Sequence, residues 1–142
     1  MADNGSLLIN GLKKCGLLEN EIPSIAEKME TYINEIILFN SAYNLTNTSD
    51  HDELVIRHIL DSYAGYKKIA ELAESLKNLG IEKLQFADIG SGGGLPGIPL
   101  ATAFPEIEFT LVERMSKRCA FLENCAAILG LKNVKVLNKE AE

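Results

Sequence analysis

Apolar residues recur along the first part of the chain at three- and four-residue intervals, and this rhythm changes near Gly80. Ser6 to Cys15 is a short apolar segment that Gly16 is suited to stop, since glycine accepts the left-handed backbone of a helix end. Ile22, Ile25, Met29, Ile33, Ile36, Ile37 and the stretch from Asn40 to Tyr43 fall on one face of a long amphipathic helix. The polar string Asn44-Leu45-Thr46-Asn47-Thr48-Ser49 breaks it. Asp50 with Glu53 three residues later predicts a capping box opening the next helix, a cap worth about 1 kcal/mol. Leu54, Val55, Ile59, Leu60 and Tyr63 form its stripe. Gly65 separates it from a last helix through Ile69, Leu72, Ala73, Leu76 and Leu79, ended by Gly80.

After Gly80 the pattern alternates between strands and helices. Leu84 to Ile89 reads as a short strand, apolar on both faces as in a buried parallel sheet. A glycine-rich loop follows, and then a helix entered at Pro96 or Pro99 and ended by Pro105. Glu108 to Val112 is a second strand, Ser116 to Leu129 a helix stopped by Gly130, and Asn133 to Leu137 a third strand. Strand, helix, strand, helix, strand with short links predicts an α/β fold: a helical region over residues 1–80, then a parallel, Rossmann-like sheet over 81–142 with right-handed connections.

The chain has 142 residues, 46% hydrophobic and 24% charged, which suits a globular protein. No apolar run reaches the roughly 20 residues that a membrane helix needs. The first residues lack a signal peptide's basic start and apolar core. Cys15, Cys119 and Cys125 are odd in number and have no metal-ligand spacing. They read as reduced thiols of a cytoplasmic protein, without a metal. A net charge of −6 argues against wholesale coating of nucleic acid but leaves room for a local basic patch. Lys117-Arg118, at a helix start near the loop, fits such a patch or ordinary helix surface equally well; Lys67-Lys68 reads as solvated surface.

The chemistry concentrates in Asp88-Ile89-Gly90-Ser91-Gly92-Gly93-Gly94-Leu95-Pro96-Gly97, at the C-terminal end of a parallel strand, where α/β sheets bind ligands. Gly90, Gly92 and Gly94 allow a sharp turn and a close ligand approach. A dinucleotide fingerprint requires a third glycine where Leu95 stands, and Pro96 removes one N–H from the helix end that would hold a pyrophosphate. The spacing acidic-x-Gly-x-Gly-x-Gly resembles the first motif of class I methyltransferases; a tight turn without a ligand is the plain alternative. Glu113 ends the second strand, 23 positions after Gly90, where a carboxylate is placed to accept both ribose hydroxyls of an adenosine. Arg114 and Met115 would flank the adenine. His51 reads as surface in a first helical turn. Arg57, His58 and Asp61 either line a cleft or form a structural polar cluster between the two halves.

Four strings stand in one order: Tyr43-Asn44-Leu45-Thr46, Arg57-His58-Ile59-Leu60-Asp61-Ser62, the loop continued through Leu-Pro-Gly-Ile-Pro-Leu to Leu100, and Lys117 to Leu122. From about Ile33 onward the chain resembles the GidB family, the small-subunit ribosomal RNA methyltransferases G. That resemblance implies methylation of a guanine at N7 in small-subunit ribosomal RNA, with S-adenosylmethionine as donor. By position it puts cofactor contacts on Gly90, Leu95, Glu113 to Met115, and Ala141-Glu142. The family more often has Asp where this chain has Glu113. It also continues past this chain's end, into further strands of a seven-stranded sheet and a cofactor-contacting arginine. A complete enzyme of this kind is expected to be a monomer. The first strand is central in that sheet, so a chain with three strands is expected to leave Leu84 to Ile89 as an open edge. Two other readings fit the same loop: a class I methyltransferase with a different acceptor, and a partial chain with no activity of its own.

Overall fold

The computed structural model describes residues 4–139. Helices α1 (Asn4–Cys15) and α2 (Ile22–Asn40) are followed by a helical run that changes pitch several times. That run begins with α3 (His51–Leu54), passes through a π-helical turn over Val55–Ile59 and α4 (Leu60–Ser62), and tightens to a 3-10 turn over Tyr63–Gly65. Helix α5 (Tyr66–Asn78) completes it. The sheet half is β1 (Gln85–Ile89), α6 (Gly97–Ala103), β2 (Glu108–Glu113), α7 (Ser116–Ile128) and β3 (Val134–Asn138). Among the described residues no helix is long and apolar enough to cross a membrane.

The glycine stops form as expected. Gly16, Gly80 and Gly130 sit at φ 95°, 88° and 67°, and the N–H groups around each return to the last turn of α1, α5 or α7. The N-terminus of α3 forms half of its predicted box. Asp50 Oδ2 accepts from the Glu53 N–H at 3.0 Å, but the Asp50 N–H goes to Thr48 Oγ1, so Glu53 does not reciprocate.

Helix α2 ends at Asn40, three residues before the predicted limit at Tyr43. The reason is local. The Asn40 side-chain Oδ1 accepts from the Leu45 N–H at 2.8 Å, and its Nδ2 donates to Thr46 Oγ1 at 2.8 Å and to the Thr48 carbonyl at 3.1 Å. One side chain thus supplies the loop after α2 with the partners that a longer helix would have needed. Within α2 the predicted stripe is buried from Ile22 to Ile36, and Tyr32 is buried with it.

The three strands are parallel in the order β1-β2-β3, with Phe86 opposite Phe109 and Phe109 opposite Val134. Burial alternates along β2: Phe109, Leu111 and Glu113 are buried on the face where α6 and α7 pack. The other face, with Gln85, Ala87, Ile89, Thr110, Val112 and Lys135, is exposed or half-buried. The expectation that β1 is buried on both faces therefore fails among the described residues. β1 is an edge strand, Asp88 is its one buried residue, and Ile89 is 57% exposed. The open edge anticipated for a three-stranded sheet is what the structure has. Cys119 and Cys125 are buried free thiols and Cys15 is half-buried; burial, with Glu35 adding to it, pushes the Cys125 thiol up to about 12.

His51 is not a plain surface residue. Nε2 lies 2.9 Å from both Glu30 carboxylate oxygens on α2, and Nδ1 lies 3.1 Å from Asp52 Oδ1. Burial opposes its charge, but the bonds to Asp52 and Glu30 outweigh it, and the net shift is upward. A raised imidazole value contributes stability below the ordinary value of about 6.5 and loses it as pH rises through the folded value. Urea midpoints are expected to fall between pH 6 and 8 in the parent chain and to change less in His51→Gln; equal slopes would contradict the bridge.

Candidate functional site

The glycine loop joins β1 to α6, and each acidic residue near it is already engaged. Glu113, at the end of β2, is 4% exposed. Its Oε1 accepts from the Gly92 N–H at 2.9 Å and its Oε2 from the Met115 N–H at 2.8 Å. One carboxylate therefore ties the glycine loop to the turn before α7, and each oxygen keeps further acceptor capacity. The Gly90 and Ser91 N–H groups both return to the Val112 carbonyl, at 2.8 and 3.1 Å.

Asp88 closes the other side of the loop. Its Oδ2 accepts from the Gly97 N–H at 3.1 Å, at the first residue of α6. Burial raises its carboxyl above the usual range, partly offset by Gly97 and Ser91. The Ile98 N–H goes to the Gly94 carbonyl, and Pro96 and Pro99 have no N–H to offer. The donors at the start of α6 are thus consumed within the chain, so a pyrophosphate would have to displace Asp88. This agrees with the missing third glycine at Leu95.

The helical half grips the loop from behind. Tyr32 and Tyr63 are both fully buried. Tyr32 donates its hydroxyl to the Gly93 carbonyl and Tyr63 donates to the Pro99 carbonyl at 2.6 Å. Burial, with smaller contributions from neighbouring groups, raises both phenols well above 10, so both remain donors. Sequence reading missed this role. Tyr63 was legible only as part of an apolar stripe, and Tyr32 falls on the same face of α2 as Met29 and Ile36, which is the signal that places it inside.

The residues picked from sequence separate into three places. Gly90, Glu113, Arg114 and Met115 line one depression of about 400 Å³ at the C-terminal ends of β1 and β2. Arg118, Lys139, Ile89 and Val112 complete it, none of them picked from sequence for that role. A Cβ at Gly90 would meet nothing within 4 Å, whereas one at Gly94 would lie 2.6 Å from Ile98 and 2.8 Å from Leu122. Gly90 thus opens onto the depression, and Gly94 serves packing. Leu95 lines a second cavity of about 340 Å³ with Arg57, His58 and Asp61. Ala141 and Glu142 lie outside the described residues. A larger hollow of about 680 Å³ lies at the opposite ends of the strands, around Glu108 and Asn133, away from the loop.

Lys117 sits over the Tyr43 ring at 4.4 Å, and Arg118 donates to the Asn44 carbonyl at 3.4 Å. These cations hold the loop after α2 against the start of α7. Among the described residues no three His, Cys, Asp or Glu side chains gather in a metal-binding group.

The profile of the family described as GidB, rRNA small subunit methyltransferase G, matches residues 25–142. A protein of Treponema denticola named ribosomal RNA small subunit methyltransferase G is 36% identical, aligned over 100% of this chain and 64% of its own length. Relatives with the same name from Cellvibrio japonicus and Treponema pallidum are 39% and 38% identical, over 95% and 84% of this chain. The chain spans only 58% and 50% of their lengths.

Two glycine variants separate packing from access. Gly94→Ala, at φ 92° against Ile98 and Leu122, is expected to cost about 2–4 kcal/mol in urea unfolding. Gly90→Ala, at φ 75° with free space around it, is expected to cost only about 1–2 kcal/mol. Equal losses would contradict the assignment.

Proposed function

This chain belongs to the GidB family, rRNA small subunit methyltransferase G, and we propose that the protein uses S-adenosylmethionine to methylate N7 of a guanine in small-subunit ribosomal RNA. The observation that carries the cofactor part is the pairing of an open Gly90 with the nearly buried Glu113 on one depression, beside a helix start whose donors are already used. The helix start leaves no free donor for a pyrophosphate, and the open face at Gly90 leaves room for an adenosine.

Glu113 accepts the ribose hydroxyls with the lone pairs left beside its bonds to Gly92 and Met115. Gly90 lets the ligand approach the backbone, and Gly92 sets the distance between loop and carboxylate through its N–H. Met115, 46% exposed, gives the adenine an apolar contact, with Arg114 on its other side. When bound, S-adenosylmethionine supplies a methyl group activated by its sulfonium. Guanine N7 presents a lone pair on its major-groove edge and no proton to remove. The residues therefore act by alignment and electrostatics rather than as a general base, in keeping with a site built of backbone donors and a carboxylate. In this reading residues 1–80 brace the loop, residues 81–142 form the first half of the cofactor-binding domain, and the work is done in the cytoplasm on ribosomal RNA.

Calorimetric titration with S-adenosylhomocysteine tests the pocket. Micromolar binding is expected in the parent chain and its loss in Glu113→Ala and Gly90→Val; no heat with folded parent protein would overturn the cofactor assignment. Mass analysis of small-subunit RNA from a strain lacking the gene should show one fewer N7-methylated guanine. An unchanged complement would overturn the acceptor assignment.

A further inference from the structure

The cavity on the other side of the glycine loop is unlike the rest of the molecule. Arg57 and His58 reach it from the π-helical turn over Val55–Ile59, where the Leu60 N–H returns to the Val55 carbonyl. Such turns are rare, bring an extra residue into one turn, and recur at functional sites. Asp61 joins them from α4, and Phe86, Leu95 and Pro96 supply apolar walls. The buried polar side chains of the loop and its neighbour, Asp88, Ser91 and Glu113, each have partners. Among the described residues, by contrast, the side chains of Arg57, His58 and Asp61 have no hydrogen bond or ion pair, to each other or to anything else. Arg57 and Asp61 are exposed and His58 is half-buried, so solvent satisfies them and all three stand free to meet a ligand at the cavity.

Both hollows meet the same loop, one at Gly90 and the other at Leu95-Pro96. We propose that the second cavity receives the acceptor base and that Asp61 makes it selective for guanine, an inference that rests on the function proposed above. The chemistry follows from which edge must stay free. If N7 faces the donor, recognition has to use the opposite edge of guanine, which presents N1–H and N2–H as donors beside the O6 acceptor. A single carboxylate accepts both N–H groups side by side, as Asp61 is free to do. Arg57 or His58 donates to O6. Adenine offers neither N1–H nor N2–H and places a donor where O6 would be, so it leaves Asp61 unpaired and faces a cation with an amino group. Phe86 and Pro96 supply flat apolar surfaces for a planar ring. The cavity, at about 340 Å³, lies within the usual range for small-ligand sites.

The chain has two histidines, so the imidazole signals of His58 are read directly by proton NMR, assigned with His51→Gln. Titration with guanosine monophosphate is expected to move the His58 signals, and adenosine monophosphate to need about tenfold more for the same shift. Asp61 is exposed, so Asp61→Asn should fold. It is expected to bring the two nucleotides level while S-adenosylhomocysteine binds as in the parent. His58 signals unmoved by guanosine monophosphate, moved equally by both nucleotides, or a preference kept in Asp61→Asn would each overturn the proposal. The two readings fail separately. Guanine preference without binding of S-adenosylhomocysteine leaves this cavity standing and removes the methyl-donor pocket. Binding of S-adenosylhomocysteine with no guanine preference does the reverse.

Discussion

The carboxylate of Glu113 holds together three segments that are separate in sequence: the end of β2, the glycine loop through Gly92, and the turn before α7 through Met115. Hydrogen bonds to a charged group are worth about 1.5–3 kcal/mol each, and more is lost when a nearly buried carboxylate is left without them. The same two bonds shape the site, because they fix how far Gly90 stands from the carboxylate. Asp88 plays the matching part at the start of α6, holding the Gly97 N–H. Two acidic side chains, one at the end of each strand, thus hold the loop by its backbone N–H groups. What remains open on the loop is the space at Gly90, while the donors at the start of α6 are used within the chain.

The helical half supplies the complementary bonds. Tyr32 and Tyr63 donate to the Gly93 and Pro99 carbonyls, so the loop and first turn of α6 are held by acids on their N–H side and by phenols on their carbonyl side. Buried phenols remain protonated, which keeps this grip independent of pH across the neutral range. The helices are therefore a brace for the loop as well as a packing layer, and close contact at Gly94 with Ile98 and Leu122 finishes the fit.

The four strings that suggested the family are far apart in sequence, and they meet in space as two pairs. Tyr43-Asn44 meets Lys117-Arg118 through a cation over a ring and a carbonyl hydrogen bond. Arg57-His58 and Asp61-Ser62 meet Leu95-Pro96 across the second cavity. The first pair ties the loop after α2 to the start of α7 through two cations. The second brings Arg57, His58 and Asp61 to one cavity, where they have no partners among the described residues.

Sequence by itself determined the order and kind of the elements, because helix stripes, strand runs, caps and glycine stops are written in short-range spacing. It also set the identity of the loop and its acidic partner, since glycine at Gly90 and the acid at Glu113 answer to backbone conformation and strand ends, both local properties. Tertiary structure decided what spacing cannot encode. That α2 stops at Asn40 depends on a side chain folding back over its own loop, that β1 is an edge depends on which strands are beside it, and that Gly94 packs while Gly90 opens depends on Ile98 and Leu122 arriving from elsewhere. Leu95 faces a different cavity from Glu113 for the same reason: a loop of successive glycines reverses direction within a few residues, and only the helices packed behind it choose which side each residue takes.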